Sequence, residues 1–76
     1  MDSFLPQVKA RDVIRVAKKL GFEFDRQSGS HAIYLRKSDK RRIVIPVHPA
    51  KDIRPKTLFG IIKDMGIEPE EFKKLL

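Results

Sequence analysis

A chain of 76 residues predicts one domain, residues 1–76, with a single thin core, which excludes a large enclosed substrate chamber and leaves a surface or shallow groove for any site. Cysteine is absent, so a disulfide framework, a thiolate zinc site and a cysteine nucleophile are excluded. Lys and Arg number 17 against 10 Asp and Glu, and a formal charge of +7 on so small a body favours a polyanionic partner, most simply nucleic acid, with a merely solubilising surface as the plain alternative. The start, "MDSFLPQVKARD", reads as neither a secretory leader nor a membrane span, so a cytoplasmic location and no membrane partner are expected.

The first periodic stretch is "VKARDVIRVAKKLGF". Val13, Val16, Ala17 and Leu20 fall at i, i+3, i+4 and i+7, which predicts an amphipathic helix over residues 10–20. Gly21 is placed to end it in a left-handed conformation. "FEFDRQ" alternates, with Phe22 and Phe24 on one side, and predicts a half-buried strand over residues 22–27. "SGS" turns the chain into a second strand, residues 31–36, and "KSDK" into a third, β-branched strand, residues 41–47. Pro46 cannot donate to a ladder and belongs at a strand end or edge.

The loop "HPAKDIRP" closes on Pro55, which suits a first helical position. Leu58, Ile61, Ile62 and Met65 give the next helix its apolar face, Gly60 is placed for close packing on the sheet, and Gly66 ends the helix. "EPEEFKKLL" starts a short last helix whose Phe72, Leu75 and Leu76 can pack. The sum is a two-layer α+β fold, α-β-β-β-α plus a short C-terminal helix, with a three-stranded antiparallel sheet covered by helices on one face. Val13, Val16, Leu20, Phe22, Leu58, Ile61, Ile62 and Phe72 are expected in the core.

The "KSDK" turn sets a register in which Arg36 faces Arg41 and paired positions sum to 77, so His31 lies opposite Pro46. His48, two residues further along the same strand, then shares the face of His31 as its diagonal neighbour. Imidazole titrates near neutrality and can both take and give protons. Two such groups beside one phosphate could cleave RNA, one removing the 2′-hydroxyl proton and the other protonating the leaving 5′-oxygen. The sequence has no recognisable metal cluster, and neither a metal nor a cofactor is expected. The bland alternative is a strand-end histidine that is only a half-buried polar residue. Gly29 admits a phosphate close to the backbone, Ser28 and Ser30 can donate to it, and Arg26, Arg36, Arg41 and Arg42 can hold phosphates; each of them is equally open to a turn or a solvated role. Tyr34 could stack on a base, although its alternation with Ala32 favours the core.

The runs "LGFEFDRQSGSHAIY", "RRIVIPVH" and "IRPKTLFGIIKDMGI", followed by "EEF", resemble the HicA (YcfA-like) family of small toxins from toxin–antitoxin pairs. The likeness spans residues 8–72 and rests on a Gly-Ser-His element (Gly29, Ser30, His31, then Ile33 and Tyr34) and a Pro-x-His element (Pro46, His48). It implies a double-stranded-RNA-binding-domain-like fold and ribosome-independent cleavage of messenger RNA. It implies a catalytic role for His31, with the role of His48 open between catalysis and structure. It also implies a neighbouring HicB-like antitoxin that covers the active surface. One departure is Lys56, which stands where the family usually has glycine before Thr-Leu.

Two other functions stay open on the residues alone. One is an RNA-binding module of similar fold that does not cut. The other is a protein-interaction domain, in which Ile33, Leu35 and Val44 would form an exposed apolar patch for a partner or a homo-oligomer.

Overall fold

In the computed structural model, which describes residues 5–76, the order is α1 (Ala10–Lys19), β1 (Glu23–Ser28), β2 (His31–Arg36), β3 (Arg41–Pro46), α2 (Pro55–Met65) and α3 (Pro69–Leu75). The three strands form one antiparallel sheet in the order β1-β2-β3. This is the α+β layout that the alternation of periods predicts. No helix among the described residues is long and apolar enough to cross a membrane.

Local chemistry sets the boundaries. The Lys9 backbone N–H donates to the Asp12 carboxylate at 2.9 Å, which satisfies one of the donors a helix start leaves open. That bond is the main reason the Asp12 carboxyl titrates below its ordinary range, with Arg15 adding to it against a partial desolvation. Gly21 at φ 91 and Gly66 at φ 83 end α1 and α2 in the left-handed region. Gly29 at φ 58 leads the two-residue loop between β1 and β2 while Ser30 is not in the left-handed region, the pattern of a type II′ turn.

The β2–β3 register is the expected one: His31 faces Pro46, Ala32 faces Ile45, Tyr34 faces Ile43 and Arg36 faces Arg41. Ala32, Tyr34, Ile43 and Ile45 point into the core with Val13, Val16, Phe22, Leu58, Ile62, Met65 and Phe72. Burial raises the Tyr34 phenol above its ordinary pKa. Leu20 only packs at the core margin.

Four expectations are corrected. β1 is exposed along its whole length rather than half-buried, because α1 and α2 both pack against β3 and leave β1 overhanging. Phe22 is buried just before the strand, whereas Phe24 is 55% exposed and meets Tyr34 edge-on at 5.7 Å. A bulge at Asp25 then shifts the pairing, so Phe24 faces Tyr34 and Arg26 faces Ile33. On the helix-free face Val44 is exposed as expected, but Ile33 is 9% exposed and Leu35 half-buried, so the apolar patch is smaller than the sequence suggests. Finally, Gly60 faces open space, and packing does not require its missing side chain.

α1 and α2 run in the same direction. The segments before them are joined by the Ile53 N–H donating to the Val8 carbonyl at 2.8 Å, and Lys9 bridges Asp52. Their C-terminal ends meet at one side chain, Arg36, which donates to the Leu20 carbonyl at 2.8 Å and the Met65 carbonyl at 3.4 Å. Both helix N-termini therefore lie at the end of the sheet that carries His31, and both C-termini at the end that carries Arg36.

Candidate functional site at the histidine end of the sheet

The site is built where β1 turns into β2 and β3 leaves the sheet. Ser28 closes β1 opposite His31, and Gly29 and Ser30 form the tip between them. His31 is the first residue of β2 and is exposed. Beyond the His31–Pro46 pair, the Val47 N–H donates to the Ser30 carbonyl at 2.6 Å, which holds the outgoing chain against the turn. β3 ends at Pro46, so His48 lies in the loop beyond the strand rather than on the face of His31 as expected, although both histidines reach the same end of the sheet.

His48 stands at the head of a tight turn. The Lys51 N–H donates to its carbonyl at 3.1 Å, Pro49 fixes the first central position, and Ala50 takes φ 68 at the second. This is the pattern of a type II turn, in which the second central position ordinarily asks for glycine. An alanine there stores strain that the surrounding structure must hold, a feature that gathers at functional sites. On one side His48 lines a groove of about 290 Å³ with Lys51, Asp52, Arg54 and Thr57. On the other it lines a more apolar cleft of about 260 Å³ with Ala10, Ile14 and Val47.

A family model described as the HicA toxin of bacterial toxin–antitoxin matches residues 10–67 of the 76-residue chain. The chain belongs to the HicA toxin family. The matched span runs from the first residue of α1 to just past α2, so it contains both histidines, the turn at Gly29 and the loop before α2. Family membership gives the chain the toxin role and implies a cognate antitoxin as partner. No curated protein matches the chain.

The arginines singled out from the sequence do not gather at the histidine end of this HicA-family fold. Arg26 is exposed in β1, paired with Ile33 across the strands, and its guanidinium meets Asp25 at 2.8 Å. Arg42, opposite Leu35 and next to Arg41, is exposed toward the end of the sheet far from His31 and has no side-chain partner among the described residues. Arg36 and Arg41 close that end. Arg36 is five residue steps along β2 from His31, roughly 17 Å of strand.

Arg36 is engaged inside the molecule. It grips Asp39 through two bonds of 3.0 and 2.9 Å, holds the two helix-end carbonyls, and stacks over the Phe22 ring at 4.5 Å. The Asp39 hydrogen bond, the largest influence on it, raises the Arg36 pKa further. The Arg36 hydrogen bond is likewise the main cause that holds the Asp39 carboxyl below its ordinary range. Arg41 meets Asp39 at 3.3 Å and donates to the Asp64 carbonyl at 3.2 Å. Both side chains cap helix C-termini, where carbonyls lack partners.

The residues that sequence reasoning missed are Lys51, Arg54 and Thr57. They sit in a segment legible only as a loop. The available signal was two basic residues flanking Asp52 between Pro46 and Pro55, the stretch that must pass the sheet end to reach α2. Among the described residues no three His, Cys, Asp or Glu are grouped to hold a metal ion.

Proposed function

We propose that this HicA-family toxin is an endoribonuclease that cuts messenger RNA without a metal, with His31 transferring the proton. The observation that carries the proposal is the placement of His31. It is exposed on the first residue of a strand, beside a glycine-led turn, on a chain of formal charge +7. His31 takes the proton from a ribose 2′-hydroxyl. That oxygen attacks the adjacent phosphorus, and the bond to the 5′-oxygen breaks. A second acid returns a proton to the leaving oxygen, giving a cyclic phosphate and a free 5′-hydroxyl. His48, at the same sheet end, is the second acid in this scheme.

Gly29, with no side chain and nothing within 4 Å of where one would stand, leaves room for a phosphate against the backbone. Ser28 and Ser30 supply hydroxyl donors at its sides. Arg26 and Arg42 offer exposed guanidinium groups to the phosphates of a strand lying along the open face of the sheet. A HicB-like antitoxin would neutralise the toxin by covering this surface, and the encounter takes place in the cytoplasm. A non-catalytic RNA-binding module of double-stranded-RNA-binding-domain-like fold is the second reading, favoured only by the basic surface.

The experiment is cleavage of two RNAs that differ by one ribose. A single 2′-deoxy group at the cut site removes the nucleophile and should abolish cleavage there while leaving binding intact. Equal cleavage of both RNAs would contradict the mechanism. His48→Ala sorts the second histidine: a loss of on the order of a hundred-fold supports an acid–base pair, and a loss of a few-fold assigns His48 to binding.

A further inference from the structure

We propose that the loop leading into α2 forms a nucleotide subsite beside the cleavage turn: a basic groove for one RNA phosphate and an adjoining apolar cleft for its base, with His48 between them. The inference rests on the RNA reading above and adds residues which that reading does not use.

The groove has two uncompensated cations. Lys51 and Arg54 have no side-chain partner among the described residues. The one carboxylate in the lining, Asp52, is held by Lys9 at 2.8 Å, so its charge is already answered from outside the groove. The Thr57 hydroxyl adds a neutral donor. A lining of two free cations and a hydroxyl in a space of about 290 Å³ suits a phosphodiester, which presents a single charge and several acceptor oxygens.

The cleft on the other side of His48 has a different character. Ala10, Ile14, Val47, Pro49 and Ala50 line it beside Lys9 and Arg11, its surface is largely apolar, and its volume is about 260 Å³. A pocket of this kind suits the flat face of a base, which binds by stacking and desolvation whatever its identity. The two spaces share His48, so a phosphate in one and a base in the other belong to one nucleotide or its immediate neighbour. The turn at Ala50 fixes the spacing, because the Lys51 N–H is bonded to the His48 carbonyl. RNA is the occupant proposed because the two spaces meet at His48, so one ligand must present an anion and a flat apolar face side by side, as a nucleotide does.

The test is binding of a short 2′-O-methyl RNA, which cannot be cut, so the result is independent of whether His31 catalyses. Lys51→Ala combined with Arg54→Ala should weaken binding on the order of tenfold and reduce the salt slope by about 0.7, the share of one phosphate contact to a single strand. The control is Lys37→Ala combined with Lys74→Ala. It removes the same charge from exposed positions outside both spaces and should change affinity less than about twofold, as screened surface charges do. Replacing single nucleotides by abasic ones should find one position where parental binding drops several-fold. If the Lys51/Arg54 variant binds no worse than the control, the subsite is overturned and these cations are left to a protein partner. Uniform tolerance of abasic positions overturns the base cleft. A parental protein that does not bind RNA at all overturns the RNA reading together with the subsite.

Discussion

At one end of the sheet Arg36 and Arg41 donate to the carbonyls of Leu20, Met65 and Asp64 and share Asp39 between them. At the other end Lys51 and Arg54, no less cationic, find no carbonyl to hold and point into a groove. The cause is topological. α1 and α2 run in the same direction, so one end of the sheet gathers their electron-rich C-termini and the other their electron-poor N-termini. Arg36 and Arg41 are satisfied by carbonyls of the fold, while Lys51 and Arg54 stand beside the start of α2 with no side-chain partner among the described residues. Equal charges thus do different work within the net +7.

The comparison can be broken first through the floor of the Arg36 end. Phe22 is 1% exposed beneath the guanidinium, while Phe24, two residues on, is 55% exposed. Phe22→Ala should cost about 3–5 kcal/mol, as other buried Phe truncations do. Phe24→Ala should cost less than about 1 kcal/mol. Urea unfolding midpoints of the two variants check this, and equal losses would mean that the overhang of β1 is misjudged.

A smaller effect is expected from the side chain above that floor. Arg36→Ala removes a two-bonded grip on Asp39 and two helix-end bonds, all near solvent, and should cost about 2 kcal/mol of stability. Arg36→Lys should recover little of it, because a single ammonium cannot reproduce the planar fork. Neither change should alter the salt slope of RNA binding, and a slope that falls as far as it does for Lys51 and Arg54 would place Arg36 in the interface after all.

The smallest expected effect is the response to acid. The Asp39 carboxyl titrates lower in the folded than in the unfolded chain. Its contribution is therefore present above the ordinary carboxylate range and is lost as pH falls through the depressed folded value. The protection of the Arg41 amide from hydrogen exchange, relative to its intrinsic rate, should fall over that window, because this amide donates to Asp39 at 3.3 Å. In Asp39→Asn that loss of protection over the window should be absent.

Much of this layout was legible before any coordinates, and the exceptions have a common cause. The register of β2 on β3 follows from a turn of known length, since a pairing slip of one residue would expose Ile43 and Ile45. The placement of His31 opposite Pro46 comes with it. The exposure of β1 is not legible because alternation reports only that one face could be covered, and the helices lie over β3 instead. Arg36 looked like a phosphate ligand because its partners, Leu20 and Met65, are carbonyls brought together only when two helices run the same way. The groove at Lys51 and Arg54 was invisible for the same reason: its walls come from a loop and the start of a helix, and no pattern along the chain marks their meeting.

The most direct test of the division between the two ends is the cleavage rate of purified His31→Ala protein, measured beside its unfolding midpoint and its affinity for RNA. The account predicts a fall in cleavage of on the order of a hundred-fold or more, with the midpoint and the affinity close to parental, because an exposed imidazole on a strand end supports chemistry and little else. Folded His31→Ala protein, free of contaminating nuclease, that cuts at the parental rate would contradict it.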